Sequence, residues 1–524
     1  MMWRDSDLKI LDGKRAALVA ALFFCAGSAW AEDPITLRSS SGELEITGHL
    51  LGFDGEYIQI ASDYGPMSLT YDRVFCDGAV CPDPENFVAR FKVSGDASVA
   101  DVLLPALWDG FSRTKGWSTQ FDDIDGGVIG VATQASGDVA AVFEIASSDT
   151  GQGFDDLFNH RSNAVVATRE VTPSELQVAS QQGIDDFQGS ERSRILALDA
   201  LTPIVSPLRK TRTLSLVQLQ RALLGEVTDW QAFGEQPAPL SLHLGPASSG
   251  STQSALQHLI GEGVMPVATF HDSYAEMANA VVSDRNAIGL ASFLRTGGAR
   301  AVSLLDDCGF LNMTTPVGIK TEDYPLTAPI FLYVPPRIMP DVFKEFIQWT
   351  RSPAAQLIVR RTGYVDQTVV PIPLDAQGQR FANAIERAGT EVPFDELQRF
   401  VRLISDQTRL SLSFRFEAGS ADLDAQSRSN LADLAFAIGD GAYDGQSLTL
   451  IGFSDGIGDA KANRDLSGAR AEAVRQALLG LLGDDGLGDV ELSIAAFGEA
   501  LPMACDDTEL GQRTNRRVEL WVKG

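Results

Sequence analysis

The chain has 524 residues, 44% apolar and 21% charged, a composition that suits about three globular domains and excludes a mainly disordered chain, a collagen or a coiled-coil rod. Seventy Asp and Glu against 42 Lys and Arg give a net charge of −28, which disfavours nucleic acid or anionic lipid as a partner, because both bind through positive charge. One small anion is not excluded, since a local site can oppose the global field.

Lys14 and Arg15 precede an apolar run over residues 16–25, and Ala29-Trp30-Ala31 follows. This is the pattern of a secretory signal peptide over residues 1–31, cleaved before Glu32. The run falls short of the ~20 residues that a bilayer span needs, and Leu22-Phe23-Phe24 before Cys25 lacks the small residues of a lipoprotein signal. No later segment has 18 uncharged apolar residues, so the expected product is soluble and exported.

Residues 32–86 read as short strands: 35–38, 44–48, 57–60 and 67–70, with turns at Ser41-Gly42 and Asp54-Gly55. The expectation is a small SH3- or Sm-like β-barrel carrying no chemistry. Cys76 and Cys81 flank a tight loop and are expected as a disulfide in an oxidising compartment; no second Cys/His pair stands nearby to make a zinc site. Cys308 and Cys505 are either free or paired across domains.

Residues 87–372 alternate strand-like and helix-like segments, which predicts an α/β domain with ligands at the carboxyl ends of its strands. Residues 373–407 hold two amphipathic helical stretches, split by Gly389 and Pro393, and read as a connector. From 408 to 524 a third domain alternates strands and helices. Its strand 448–453 ends at Ser454-Asp455-Gly456, and the following helix carries Leu466, Ala469, Ala473, Ala477 and Leu481 at helical spacing, with Arg470 among them. A charge there needs a partner: Asp455 itself, or a ligand that both residues share. Gly452-Phe453-Ser454-Asp455-Gly456 also fits the G-x-S-x-G nucleophile elbow, but all five His (49, 160, 243, 258 and 271) precede it, so the hydrolase reading fails. No His/Cys/acid cluster and no metal-ligand spacing points to an enzyme, a metal or a cofactor.

The third domain resembles the OmpA-like peptidoglycan-binding family. The matching elements are residues 452–458, Asn463 to Ala471 and Val474, then Phe497-Gly498-Glu499 and Thr514-Asn515-Arg516-Arg517-Val518-Glu519, with the opening strand at 414–423, including Gly419-Ser420-Ala421. The resemblance implies a βαβαββ fold in which Asp455 accepts from the ammonium of diaminopimelate in the murein stem peptide and Arg470 donates to its carboxylate. A planar guanidinium fork suits the second task. Asn463, Ser454 (where the family usually has Thr) and one of Arg516 or Arg517 would support the loop or the ligand.

Residues 214–230, with 195–201, 248–252, 286–290, 324–326 and 363–365, resemble periplasmic phosphate-binding proteins of ABC transporters. The resemblance implies two α/β lobes hinged around a cleft. Its three anion-binding loops fall on Ser94, Gly95 and Ser98, on Ser147 and Ser148, and on Ser249, Gly250, Ser251 and Thr252, supplying hydroxyls and N–H groups at helix N-termini. The family's arginine falls on Gly245, and its proton-accepting carboxylate falls near Thr168 and Arg169. Together these resemblances imply a periplasmic envelope protein held at peptidoglycan, with the outer membrane as a further point of association. It would capture phosphate or a related oxyanion, with an ABC permease or envelope protein as partner. The alternative is a structural protein whose cleft binds no small ligand.

Overall fold

The computed structural model describes residues 34–523 apart from 41–43, 85–86, 185–186, 188–191, 294, 388–391, 417–421 and 484–485. The expected signal peptide, the turn at Ser41-Gly42, Gly389 and Gly419-Ser420-Ala421 lie outside the described residues.

The N-terminal module is one antiparallel sheet, ordered Gly65–Thr70, Tyr57–Ser62, Glu45–Phe53, Ile35–Ser39, Val74–Asp77. The two outer strands do not pair among the described residues, so the sheet is open and the expected closed barrel is corrected. One edge offers only four residues. The other contains Pro66, which has no N–H for a ladder, so the edges match too poorly to close. Its inner face buries Ile35, Leu37, Phe53, Ile58 and Ile60. Cys76 and Cys81 form the expected disulfide. The Ile338 N–H donates to Gln59 Oε1 at 2.8 Å, docking the module on the central domain.

The central domain has two lobes. In the first, parallel strands Ala89–Asp96, Val139–Ser148 and Ala164–Ala167 carry helices Leu103–Thr114, Thr150–Phe158, Asp341–Trp349 and Pro353–Arg361. In the second, parallel strands Ser241–Leu244, Thr269–Phe270 and Ala287–Ser292 carry helices Leu216–Leu223, Gly250–Ile260 and Tyr274–Ser283. Strands Ser193–Val205 and Thr327–Tyr333 pair antiparallel and connect the lobes. Covered on both faces, the first of these is nearly continuously apolar.

The C-terminal sheet is ordered Pro371–Ile372, Thr408–Phe414, Val518–Lys523, Ser447–Gly452, Glu491–Ala496. Helices Ala425–Gly439 and Ala460–Leu482 pack around one core through Leu434, Val474 and Leu478. The two stretches read as a connector are helices Gly378–Arg387 and Phe394–Ile404. They are a packed layer: Leu397, Phe400 and Ile404 bury against Phe453, Phe497 and Trp521.

Central and C-terminal domains share an ionic seam. Arg409 donates to Asp323 Oδ2 at 2.7 Å and to Oδ1 at 3.1 Å. Arg415 Nη2 donates to the Glu322 carbonyl at 2.6 Å, holding Glu322 at a positive φ of 55° that non-glycine residues rarely adopt. The Glu322 carboxyl is buried, its Oε1 has no hydrogen-bond partner, and burial, seconded by Asp424, pushes it up to about 8. The folded state therefore keeps its proton where the unfolded chain loses it. The corresponding stability is fully present below the ordinary glutamate range and is lost as pH rises towards 8. We expect the urea midpoint of the wild type to fall between pH 5 and pH 8, and that of Glu322→Gln to fall less.

Candidate functional site

Two sites emerge, one in each α/β region. In the central cleft, the N-terminus of helix Gly250–Ile260 points at the first lobe. The Gly250 N–H donates to Asp96 Oδ2 at 3.4 Å and the Ser251 N–H to Thr168 Oγ1 at 3.0 Å. Thr168 Oγ1 donates in turn to Asp96 Oδ2 at 2.8 Å, while Asp96 Oδ1 accepts from the Ser98 hydroxyl at 2.6 Å and its N–H at 3.1 Å. The positive end of the helix thus faces a carboxylate of the chain's own, an arrangement its dipole favours. Arg295 Nη2 donates to Tyr364 Oη at 3.0 Å and to the Ser98 carbonyl at 3.2 Å, and the Tyr364 hydroxyl donates to that carbonyl at 2.6 Å. Asp199 accepts from the N–H groups of Ala200 at 2.7 Å and Phe293 at 3.2 Å; burial raises its carboxyl above the ordinary range, against Ser292 and Arg295. Ser98, Thr168, Asp199, Ser251, Arg295 and Tyr364 line the space between the lobes.

The expected anion residues separate into groups. Ser98, Thr168, Gly250 and Ser251 meet at the cleft. Gly95 brings the loop close to the next strand: a side chain there would collide with the Val166 carbonyl. Ser249 and Thr252 share hydrogen bonds with the Tyr274 hydroxyl, at 3.3 and 2.9 Å. Burial pushes that phenol up to about 12, so it stays neutral. Ser94 is buried with an unpartnered hydroxyl. Ser147 turns to Asp101, and Ser148 to the Gly95 and Asp149 carbonyls at 3.4 and 3.2 Å. Arg169 is not a free cation for a ligand: it grips Glu175 bidentately at 2.8 and 2.9 Å and reaches Gln253 at 2.9 Å. Sequence reasoning missed Asp96, Asp199, Arg295 and Tyr364. Asp96 sits inside the very loop that was singled out. Asp199 lies on strand Ser193–Val205 and Arg295 just past strand Ala287–Ser292, and the antiparallel pairing of these strands brings the two near each other, a juxtaposition without local signature.

In the C-terminal domain, the strand Ser447–Gly452 delivers Asp455 to a loop whose N–H at Gly456 donates to Asp506 Oδ2 at 2.8 Å. Asp455 Oδ2 accepts from Arg516 Nη1 at 2.9 Å. Arg470, from the helix Ala460–Leu482, is 6% exposed, yet its Nε and Nη1 have no hydrogen-bond partner and it lies over the Phe416 ring at 5.4 Å. Its pKa falls through burial and the neighbouring Arg516, opposed by Asp455. The direct Asp455–Arg470 bridge that the sequence allowed is replaced by Asp455–Arg516, leaving two guanidinium nitrogens of Arg470 without an acceptor among the described residues. Asn463 Nδ2 donates to Glu499 Oε2 at 2.7 Å. The Ser454 N–H donates to the Gly498 carbonyl at 2.8 Å, its hydroxyl being buried and unpartnered. Arg517 belongs elsewhere: it is wholly buried and donates to Glu519 Oε1 at 2.8 Å and to the Leu501 carbonyl at 2.9 Å. Of the Arg516/Arg517 alternatives, Arg516 is at the site.

Cys308 and Cys505 are joined as a disulfide between the domains. Among the described residues, Asp306 with these two sulfurs is the one group close enough to hold a metal, and both sulfurs are committed to each other. Among the described residues, no helix is long and apolar enough to cross a membrane.

Comparison with known proteins agrees with this architecture. Residues 89–354 match the PBP superfamily domain and residues 415–516 the OmpA family. The first match takes in just over half of the 524 residues, so the chain belongs to the PBP superfamily, with an OmpA-family domain following. It is similar to outer membrane porin F of Pseudomonas fluorescens, 28% identical over 120 residues covering 23% of this chain and 35% of that protein. Against outer membrane porin F of Pseudomonas aeruginosa the figures are 29% over 120 residues, 23% and 33%. The chain thus spans about a third of the length of these curated relatives. Among solved structures, an ABC-type phosphate transport receptor from Vibrio cholerae is 19% identical, with 52% of this chain and 99% of that one covered and a TM-score of 0.40. A phosphate binding protein from Stenotrophomonas maltophilia is 12% identical, covering 57% and 95%, with a TM-score of 0.36.

The contrast between two arginines is testable by stability alone. Arg470→Met removes a buried charge that lacks hydrogen bonds and is expected to raise unfolding stability by roughly 1–2 kcal/mol. Arg517→Met takes one of three guanidinium partners from the wholly buried Glu519 and is expected to lower it by ~3–5 kcal/mol. Urea titration of the two variants checks both signs.

Proposed function

We propose that this is an exported envelope protein that binds peptidoglycan noncovalently through its C-terminal domain and captures phosphate or a related oxyanion in its cleft. The observation that carries the first part is the Arg470 guanidinium, buried beside Asp455 with two nitrogens unpartnered. Leaving such donors unmade costs about 1–3 kcal/mol, a cost a ligand carboxylate would recover on binding. Asp455, already oriented by Arg516, supplies the acceptor for an ammonium. A zwitterionic amino-acid terminus, as in diaminopimelate, satisfies both. The periplasm, at the peptidoglycan layer, is where such a stem peptide is met, and the outer membrane is the neighbouring surface. Full-length protein is expected to sediment with diaminopimelate-type sacculi, and Asp455→Ala with Arg470→Ala to remain in the supernatant. Equal sedimentation of the double variant would sink this reading.

For the cleft, the supporting features are the N–H groups of Gly250 and Ser251, the hydroxyls of Ser98 and Thr168, and the Arg295 cation. Asp96 would take the proton-accepting role. Hydrogen phosphate carries a proton for it and sulfate carries none at neutral pH, so phosphate should be preferred. An ABC permease or another envelope protein would be the protein partner. A second reading has one observation in its favour: the cleft's donors are already satisfied by Asp96 and Thr168, as in an interaction module that takes no ligand. Calorimetry decides between them. Phosphate should give heat, sulfate little, and Asp96→Asn should erase the difference; no heat with either anion leaves the second reading.

A further inference from the structure

The C-terminal domain touches both lobes of the cleft at once. On the first lobe and the adjoining end of strand Ser193–Val205, Asp433 accepts from Arg351 Nε at 2.7 Å and lies 3.7 Å from Arg194. Nearby, the Ile195 N–H donates to Ser429 Oγ at 3.1 Å. Asp433 and Ser429 both belong to helix Ala425–Gly439. On the second lobe the ties come from a different segment. Cys505 is bonded to Cys308, its N–H donates to Asp306 Oδ2 at 2.8 Å, and Arg513 Nη1 pairs with His258 Nε2 at 2.5 Å. Between them, Arg409 and Arg415 hold Asp323 and Glu322 just before the connecting strand Thr327–Tyr333. A hinge motion separates lobes by rotation about the connecting strands. Here one packed domain is fastened on both sides of that hinge, and one fastening is covalent. The lobes cannot part without breaking the Asp433 contacts or dragging the segment around Cys505 with the second lobe.

That segment is also part of the C-terminal site. Asp506, next to Cys505, accepts from the Gly456 N–H at 2.8 Å and from Asn515 Nδ2 at 2.9 Å. Arg516, next to Asn515, holds Asp455. We propose that the C-terminal domain is a latch across the two lobes, and that the chain Cys308–Cys505–Asp506–Gly456 couples opening of the cleft to stem-peptide binding at Asp455 and Arg470. Coupling of this kind is reciprocal: a ligand that fixes the Asp455 loop also resists separation of the lobes. The coupling rests on the peptidoglycan reading, whereas the latch does not.

Hydrogen exchange of the full-length protein, read by mass spectrometry, tests both. The amides of Gly250 and Ser251 are bonded across the lobes and exchange when the lobes part. In Cys308→Ser with Cys505→Ser, exchange over residues 249–253 is expected to rise at least tenfold while that of the first-lobe strand 89–96 stays unchanged. Asp433→Ala cuts the opposite fastening and should do the same, which covers the event that the cysteine variant fails to fold. Wild-type exchange rates in both variants would overturn the latch. A diaminopimelate-containing stem peptide added to wild type should slow exchange over 454–458 and, through the coupling, over 249–253; the second effect should vanish in the cysteine variant. Protection of 454–458 alone would overturn the coupling. Protection of neither segment would instead overturn the peptidoglycan reading and the coupling built on it, with the latch still judged by the variants.

Discussion

One carboxylate, Glu519, organises the C-terminal half of the molecule. It has no exposed surface and is ringed by Arg380 at 2.6 Å, Arg517 at 2.8 Å and Arg409 at 3.5 Å. Burial alone would raise its pKa, but the three guanidinium groups hold it well below the usual carboxylate range. Each arginine comes from a different place. Arg380 fastens the helix Gly378–Arg387, Arg409 extends the cluster to Asp323 of the central domain, and Arg517 anchors the short link between helix Glu509–Asn515 and strand Val518–Lys523 that presents Arg516. Buried pairs of this kind add little net stability but penalise any arrangement that separates them by several kcal/mol. Their effect here is positional: the layer of helices, the hinge-side loop and the Asp455 site share one origin.

The two sites differ in how they treat their own polar groups. The cleft satisfies itself, with helix N–H groups, hydroxyls and carboxylates meeting each other across the lobes. The C-terminal site keeps Arg470 wanting. The first arrangement makes ligand entry an exchange, in which new hydrogen bonds must match those given up. The second makes ligand entry a gain, because the desolvation of the guanidinium has already been met on folding. The proposed stem-peptide binding draws on the second arrangement and the proposed oxyanion binding on the first.

Much of this was legible in the sequence because it is encoded locally. The strand-turn-helix run through Asp455 to Arg470, the capping of Leu216–Leu223 by Ser215 with Gln218, and the apolar stretch of Ser193–Val205 all show in contiguous residues. What was not legible is set by distant contacts. Arg169 reads in sequence as an anion ligand, but Glu175, in the first turn of the next helix, takes two of its nitrogens. Arg516 and Arg517 are neighbours of identical chemistry, and only the course of the backbone between helix Glu509–Asn515 and strand Val518–Lys523 sends one to the site and the other to Glu519. The short edges of the N-terminal sheet decide against a barrel, although every strand was visible. The helices read as a connector are amphipathic in sequence, but the surface they cover comes from residues far downstream, from Ile451 to Trp521.

The acidity of the chain gains meaning once the sites are placed. With a net charge of −28, the long-range field repels free anions, and beyond about 8–10 Å at physiological ionic strength that field is screened. Recognition must therefore be short-range, through desolvated, geometrically fixed donors. Arg470 and the N-terminus of helix Gly250–Ile260 are both of that type: one is a buried fork, the other a pair of backbone N–H groups aligned by the helix dipole. Neither relies on attracting its ligand from a distance. On the proposed reading, a protein held on a polymer that presents the same stem peptide repeatedly would have little need of such steering, because the local concentration of that ligand would replace it.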